Sequence, residues 1–507
     1  MLSKVKSYAL CGLQGFLVDV EVDVINGLPS FDIVGLPDTA VKESKERVRS
    51  AIKNSGVKFP NNKITVNLAP ADIKKQGAYL DLPIAVGIIK ASTSELPCDV
   101  SDFALIGELS LDGSLRAVNG VLPLLISAKE QGYKKFIIPS GNEKESSFIE
   151  GVEVYALSSL KQALDLLSNK ESFSPVQTID YKISSSEKSY GVDLSFVKGQ
   201  AFAKRAVEVA VAGGHNVLLV GPPGAGKTML AKCVPTIMPD LSFDEALETT
   251  KIHSVAGVLK GEDGIVNTRP FMTPHHSASA VSLIGGGQSA APGIISLAHN
   301  GVLYLDELPE YPRSLLESLR QPLEDRVITV SRVKASVEYP ASFMLVASMN
   351  PCPCGNYGSK SGECKCTLSQ IQRYRAKISG PLLDRIDLQI SVDGVLYSDL
   401  VDDKKEETSA EVRRRVNMAR LIQRERFALD GVKFNAEMGE KHIKKYCQLD
   451  RECEEIIKSA FNSLNLSARA RSRIIKVART IADLELSENI KPSHVLEAVG
   501  YRSNLNL

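Results

Sequence analysis

The 507-residue chain lacks an excess of either charge: 61 Lys and Arg face 60 Asp and Glu, a net charge of +1. A protein that is basic throughout is excluded, so any contact with nucleic acid has to come from a local patch. No apolar run is long enough to cross a bilayer, which excludes a membrane-spanning helix. Residues 8–18, behind Lys4 and Lys6, weakly imitate a secretory leader. However, Asp19, Glu21 and Asp23 then alternate with Val18, Val20, Val22 and Val24, the period of a half-buried strand. A cytoplasmic chain is expected. Cysteine is sparse and uneven, with four of the nine between 352 and 366. That distribution argues against a disulfide framework and for metal binding in a reducing compartment. Otherwise the composition is ordinary for a globular protein, 43% hydrophobic and 24% charged. The length suggests about three domains.

One stretch carries a specific chemistry. Val217-Leu218-Leu219-Val220 predicts a short buried strand, Gly221-Pro222-Pro223-Gly224-Ala225-Gly226-Lys227-Thr228 follows, and Met229-Leu230-Ala231-Lys232 opens a helix. Strand, glycine loop, Gly-Lys-Thr and helix make the phosphate-binding loop in its required context. Glycines let backbone N–H groups close around an anion, and the helix N-terminus adds unpaired donors and partial positive charge. Lys227 is expected at the β- and γ-phosphates of ATP, and Thr228 at Mg²⁺. Downstream, Gly301-Val302-Leu303-Tyr304-Leu305-Asp306-Glu307 is an apolar strand that ends in two carboxylates. Asp306 suits the magnesium shell, and Glu307 suits the group that orients and polarises the attacking water. An ATP hydrolase is predicted.

Cys352-Pro353-Cys354 and Cys364-Lys365-Cys366 bracket a loop with Gly355, Gly358 and Gly362. Four thiolates in two pairs suit a closed tetrahedral site with Zn²⁺ as the expected occupant; a reduced thiol cluster and an iron–sulfur site are the alternatives. His275 and His276 are adjacent, and neighbouring side chains point in different directions, so one metal rarely takes both. A structural role is expected for them, or the pore-loop role that the family resemblance given below implies. A β-branched, charged stretch over 324–340 predicts a hairpin.

The chain divides as follows. Residues 1–168 predict an α/β domain, with strands at 16–24, 31–34, 63–68 and 135–138 and helices at 38–54, 81–91, 121–131 and 158–168. Residues 169–190, rich in Ser, Lys and Glu, predict a linker. Residues 191–398 form the ATPase core with the four-cysteine insert at 352–366. Residues 399–507 are expected to be a helical lid.

The first domain resembles the proteolytic domain of Lon-type proteases through Gly107–Arg116, Ala128–Pro139 and Pro70–Asp81. Where those enzymes carry their nucleophilic serine, this chain has Gly77-Ala78-Tyr79, and a Ser–Lys dyad needs the serine oxygen. The resemblance therefore implies the α/β fold without the protease, in a domain that binds a partner or nucleic acid, or drives assembly. The core is similar to the magnesium-chelatase and replicative-helicase branch of AAA+ ATPases. That likeness implies that Asn350, after the apolar strand at 342–347, is a polar sensor of the γ-phosphate or water. It implies that Arg385, in Gly380-Pro381-Leu382-Leu383-Asp384-Arg385-Ile386-Asp387, acts on the γ-phosphate held by a neighbouring subunit. A plain ion pair with Asp384 or Asp387 is the alternative. The likeness also makes 251–300 a channel-facing segment. It makes Arg326, Arg332 and Lys334 candidates for DNA phosphate contacts, with a solvated hairpin as the alternative. Arg469 becomes the lid arginine, with Arg473 in reserve.

Over nearly its whole length the chain resembles the bacterial ComM/YifB family of magnesium-chelatase-like proteins. The resemblance implies a ring-forming ATPase, expected as a hexamer, that acts as a helicase on single-stranded or branched DNA. Its implied role is branch migration during natural transformation. An ATP-driven protein remodeller and a magnesium-chelatase-type motor subunit are the alternatives.

Overall fold

The computed structural model describes residues 1–503 apart from residue 76 and the stretches 94–99, 182–190, 260–263, 288–289, 333–334, 359–362, 395–405 and 464–466. The first unit is built on β1 (Leu2–Cys11), β2 (Gln14–Ile25), β3 (Ser30–Val34), β4 (Lys63–Ala69), β5 (Phe103–Leu105), β8 (Lys135–Pro139) and β9 (Glu153–Leu157), with β6 (Glu108–Leu109) and β7 (Leu115–Arg116) as a separate short hairpin. The seven strands run in the order β3-β4-β2-β1-β5-β8-β9. β2 is antiparallel to both β1 and β4, while β5, β8 and β9 run parallel to β1.

β1 was not anticipated from sequence, and its chemistry shows why. Its lysines are not leader charges. They are the outward residues of a strand, and Lys4 Nζ lies 2.9 Å from Asp19 and 3.7 Å from Glu21 on β2. Val5, Tyr8 and Ala9 turn inward with Val18, Val20 and Val22. Helices Thr39–Asn54, Asp81–Ser92 and Val121–Glu130 help cover the sheet. Asp38 caps the first of them by accepting from Val41 N–H at 2.8 Å, so one of the helix's four orphan donors is satisfied.

The stretch expected as a linker is only partly described, through residue 181. That part has no regular element, yet it is tied down: Val176 N–H donates to the Val154 carbonyl at 2.7 Å, Tyr181 OH donates to the Leu241 carbonyl at 3.1 Å, and Phe173 and Val176 pack on the first unit's core. Its few apolar residues are enough to fasten it.

The second sheet runs β11 (Phe271–Met272), β14 (Val302–Leu305), β17 (Met344–Met349), β10 (Val217–Val220), β18 (Leu388–Ser391), with every pairing parallel. β12 (Gly285–Gly286) pairs with β13 (Ala291–Pro292), and β15 (Val327–Arg332) with β16 (Ala335–Pro340), as antiparallel hairpins outside that sheet. β10, β14 and β17 are buried at every position, as expected for strands covered on both faces. The strand with the phosphate loop therefore does not touch the strand with the paired carboxylates; β17 lies between them and brings its polar end to both.

After the core the described chain is mainly helical: Ser409–Arg426, Glu440–Tyr446, Arg451–Ser463, Ala468–Leu484 and Pro492–Ser503. Ser409–Arg426 packs on Ala201–Gly213 and on the phosphate-loop helix Lys227–Ile237. The chain is thus an α/β fold of three parts, a Lon-like unit, a P-loop core and C-terminal helices. Among the described residues no helix is long and apolar enough to cross a membrane.

Contacts between the first unit and the core include the following pair. Gly120 N–H donates to Ser254, whose hydroxyl donates to buried Glu145 at 2.7 Å. Gly12, in the β1–β2 turn, lies so close to Val337 of β16 that an added Cβ would sit 2.4 Å from its Cγ1.

Candidate nucleotide site

The phosphate loop leaves the carboxyl end of β10 and turns into the helix Lys227–Ile237. Gly224 and Gly226 have φ of +77° and +85° with open space around them, so glycine is required there by backbone conformation and not by crowding. Gly221 is crowded: a Cβ would lie 2.1 Å from the Val392 carbonyl oxygen. No side chain caps the helix at Gly226, which leaves its first N–H groups directed at the loop. Lys227 Nζ donates to the carbonyls of Gly221 at 2.7 Å and Pro222 at 2.9 Å, and to Asn350 Oδ1 at 3.1 Å. Burial lowers the Lys227 pKa, and the charges of Asp306 and Glu307 oppose that shift. Asn350, expected as a sensor, is thus in contact with the expected phosphate ligand.

Thr228 Oγ1 donates to Asp306 Oδ2 at 3.3 Å, which gathers the two residues expected at magnesium. Two hydroxyls that the sequence did not single out complete the group. Tyr304 OH lies within reach of Thr228 Oγ1 at 3.3 Å and Ser348 Oγ at 3.2 Å, with one proton to share between them, and Ser348 Oγ donates to Asp306 Oδ1. Burial pushes the Tyr304 phenol up to about 12, so it remains a donor. The available signal was a polar residue inside each of two otherwise apolar strands. Donors and carboxylate in this arrangement fit a nucleotide–Mg²⁺ pair, with Lys227 and the loop N–H groups for phosphate and Thr228 and Asp306 for the cation.

Glu307 has left-handed backbone angles, φ +53°, a strained conformation for a non-glycine residue and one that concentrates at functional sites. Its carboxylate is exposed, and His276 Nδ1 lies 4.0 Å from it. The ring of His275 is centred 4.0 Å from that of His276, tilted by 34°. The paired histidines thus border the carboxylate expected to act on water, a placement the sequence did not reveal.

The arginines expected at the γ-phosphate have partners within the chain or face solvent. Arg385 is buried, 4% exposed; its Nη1 donates to the Pro381 carbonyl at 2.6 Å and its Nη2 pairs with Glu324. Neither Asp384 nor Asp387 is its partner. Asp387 is taken by Arg473 at 2.5 Å and by Asn216 N–H at 3.0 Å. Arg473, the reserve lid arginine, is thereby committed. Arg469 is exposed near the start of helix Ala468–Leu484, and its charge reaches Glu324 together with that of Arg385. No bond joins Arg385 or Arg469 to the phosphate loop within this chain, among the described residues.

In the hairpin, Arg326 is at the root and not at the tip. It has φ +60°, its Nη1 donates to the Phe343 carbonyl at 3.1 Å, and its Nε lies 3.9 Å from Glu437. A guanidinium held this way braces the hairpin at its root. Arg332 ends β15 and pairs in register with Ala335. Its side chain, and Lys334, fall outside the described residues.

Cys352, Cys354, Cys364 and Cys366 converge, with all four sulfurs within 4.8 Å of one another. The pairs Cys352–Cys354, Cys352–Cys364 and Cys354–Cys364 are 3.4, 3.8 and 3.7 Å apart. Tetrahedral Zn–S bonds of about 2.3 Å place sulfurs about 3.8 Å apart. The cluster fits a thiophilic metal.

This geometry defines the class, a P-loop ATPase core. Comparison with known proteins narrows it. The family described as magnesium chelatase, subunit ChlI, matches residues 193–400. Its companions, subunit ChlI of Mg-chelatase and the subunit ChlI C-terminal family, match 20–142 and 406–502. The competence protein ComM of Haemophilus influenzae is 43% identical over 511 residues, covering 100% of this chain and 98% of its own. The YifB protein of Escherichia coli K12 is 42% identical over 506 residues, covering 99% and 97%. Lon protease 2 of Bacillus subtilis is 29% identical over 169 residues, 30% of each chain. The chain belongs to the ComM/YifB family of magnesium-chelatase-like AAA+ ATPases.

Proposed function

We propose that this protein is the protomer of a ring-forming, hexameric ATPase that couples ATP hydrolysis to movement along single-stranded or branched DNA, and that it drives branch migration in recombination during natural transformation. The observation that carries the reading is a nucleotide site and a separate two-stranded hairpin on one core. Lys227, Thr228, Asp306 and Asn350 meet at the carboxyl ends of β10, β14 and β17, and β15–β16 stands outside the sheet. The competence name of the Haemophilus relative supports the cellular role.

Under this proposal, ATP binding exchanges the carbonyl partners of Lys227 for phosphate oxygens, and Thr228 and Asp306 hold Mg²⁺. Glu307 takes the proton from the attacking water or orients it. Asn350 contacts the γ-phosphate. Assembly exchanges Glu324 for the neighbour's γ-phosphate at Arg385, and Arg469 follows from the lid. Arg332 and Lys334 meet the DNA backbone; Arg326 holds their hairpin. Zn²⁺ occupies the four-cysteine cluster. We place the domains at 1–168, 191–398 and 399–507, and the protein in the cytoplasm with its DNA.

The test is the ATPase rate without DNA and with single-stranded, duplex and four-way-junction DNA, with Glu307→Gln as the control. Stimulation by DNA that is lost in the control is expected, and it should be greatest with junctions. A rate indifferent to DNA would transfer the assignment to protein remodelling, which the Lon likeness favours, or to a chelatase-type motor.

A further inference from the structure

The four-cysteine insert and the phosphate loop touch. The chain leaves β17 at Asn350, which holds Lys227, and two residues later reaches Cys352, whose side chain is fully buried. A turn closed by Gly355 N–H on the Cys352 carbonyl, 3.0 Å, lays Gly355 against Pro223 of the phosphate loop. A Cβ on Gly355 would lie 2.5 Å from Pro223 Cδ and 2.8 Å from its Cγ, and the residue has φ +84°. The backbone itself is therefore the contact surface. The same turn is held from its other side: Tyr357 N–H donates to Cys352 Sγ at 3.4 Å, Arg375 Nε donates to the Pro351 carbonyl at 3.4 Å, and the Arg375 guanidinium lies 5.5 Å over the Tyr357 ring. The residues that gather the thiols thus also back the phosphate loop.

We infer that the insert is a metal-set brace for ATP binding. Cys352 and Cys354, tied through a shared zinc ion to Cys364 and Cys366, hold the Cys352–Gly355 turn against Pro223, and so position Asn350 and the Lys227 ammonium. This rests on the zinc occupancy proposed above. The physical reason is conformational. A surface turn with its thiols untied has many arrangements open to it, and a cross-link between its ends removes most of them before nucleotide arrives. Pro223 then meets one surface and not an ensemble. Because the two sites share that turn, the coupling is reciprocal: metal raises nucleotide affinity, and nucleotide raises metal affinity by the same factor.

The full-length protein tests this in two stages. Metal analysis comes first, with about one equivalent of zinc per chain expected; less than about half removes the zinc site and the brace with it. With zinc present, removal by a chelator that spares magnesium should weaken binding of a fluorescent ATP analogue about tenfold, and saturating analogue should suppress zinc release to a comparable degree. Gly355→Val leaves all four thiols in place. It should retain zinc and still lose about tenfold in analogue affinity, a combination that general unfolding would not produce. Stoichiometric zinc with analogue affinity and zinc release each unchanged within about twofold would overturn the brace and leave the zinc site standing. No analogue binding by the zinc-loaded protein would overturn the nucleotide site itself.

Discussion

At the scale of single residues, the nucleotide site rests on a few polar atoms set among fully buried strands. Lys227 has three acceptors within 3.1 Å, two of them carbonyls of its own loop. Lys227→Ala should abolish binding of ATP, read by fluorescent-analogue titration, because no other ammonium among the described residues faces that loop. Glu307→Gln should keep binding and lower the hydrolysis rate by about 10²–10⁴-fold, the usual contribution of a positioned general base. If Glu307→Gln hydrolysed ATP at the wild-type rate, the water-activating role would pass to another group, with His276, 4.0 Å from the carboxylate, the side chain to test. Gly221→Ala makes a packing prediction. Its methyl would meet the Val392 carbonyl oxygen at 2.1 Å, so the loop or β18 must shift, at a cost of about 1–3 kcal/mol. A melt that places this variant within error of wild type would show that β18 yields there.

At the scale of elements, the contact between the core and the C-terminal helices has a titratable group at its centre. His215 is fully buried just before β10, with Nε2 2.8 Å from Thr480 Oγ1 on helix Ala468–Leu484 and Nδ1 3.5 Å from Asp387. Burial lowers its pKa from the usual 6.5; Asp387 opposes the shift, and Lys476 and Arg420 add to it. The unfolded chain therefore binds a proton that the folded chain refuses. Folding stability should fall as pH drops below about 6.5, and be recovered as pH rises through that value. Denaturant melts between pH 5 and pH 7 should show the slope, and His215→Asn should flatten it; an unchanged slope would assign the acid sensitivity elsewhere. The strands themselves are a simpler case. Leu303 in β14 is fully buried, and Leu303→Ala should cost about 2–5 kcal/mol with the carboxylates Asp306 and Glu307 still in sequence but less firmly held.

At the scale of the whole molecule, the first unit touches the hairpin proposed to meet DNA. Leu13 of the β1–β2 turn packs in the same cluster as Val337, Ile328 and Val330 of the hairpin, so movement of one is felt by the other. The hairpin itself yields a prediction at this scale, because DNA affinity is read by an assembled ring. Reversing charge at Arg332 and Lys334 together should weaken DNA binding and make it less steeply dependent on salt, while nucleotide binding stays intact, because each lost phosphate contact removes about one released counterion. Unaltered DNA binding would exclude the hairpin from the DNA path.

Sequence by itself determined the local chemistry. A glycine loop between an apolar strand and a helix has few alternatives, and the spacing of Lys227 and Thr228 places both on the first turn of that helix. Alternation at Val18, Val20 and Val22 revealed β2 for the same reason, since a strand repeats every two residues. The helical character of the C-terminal part was legible because helix-favouring residues run through it, as in Ser409–Arg426. Only the tertiary structure decided what distant segments do to each other. The sequence does not show that Arg385 is engaged within the chain by Glu324, 61 residues upstream. Arg326 looks like its basic neighbours until Phe343 and Glu437 are seen to hold it at the hairpin root. Tyr304 and Ser348 look like strand residues until β14 and β17 pair and bring their hydroxyls to Asp306. His276 lies 31 residues before the carboxylate it faces. In each case the deciding interaction is one that chain periodicity does not encode: which side chain, after folding, is left nearest to which charge.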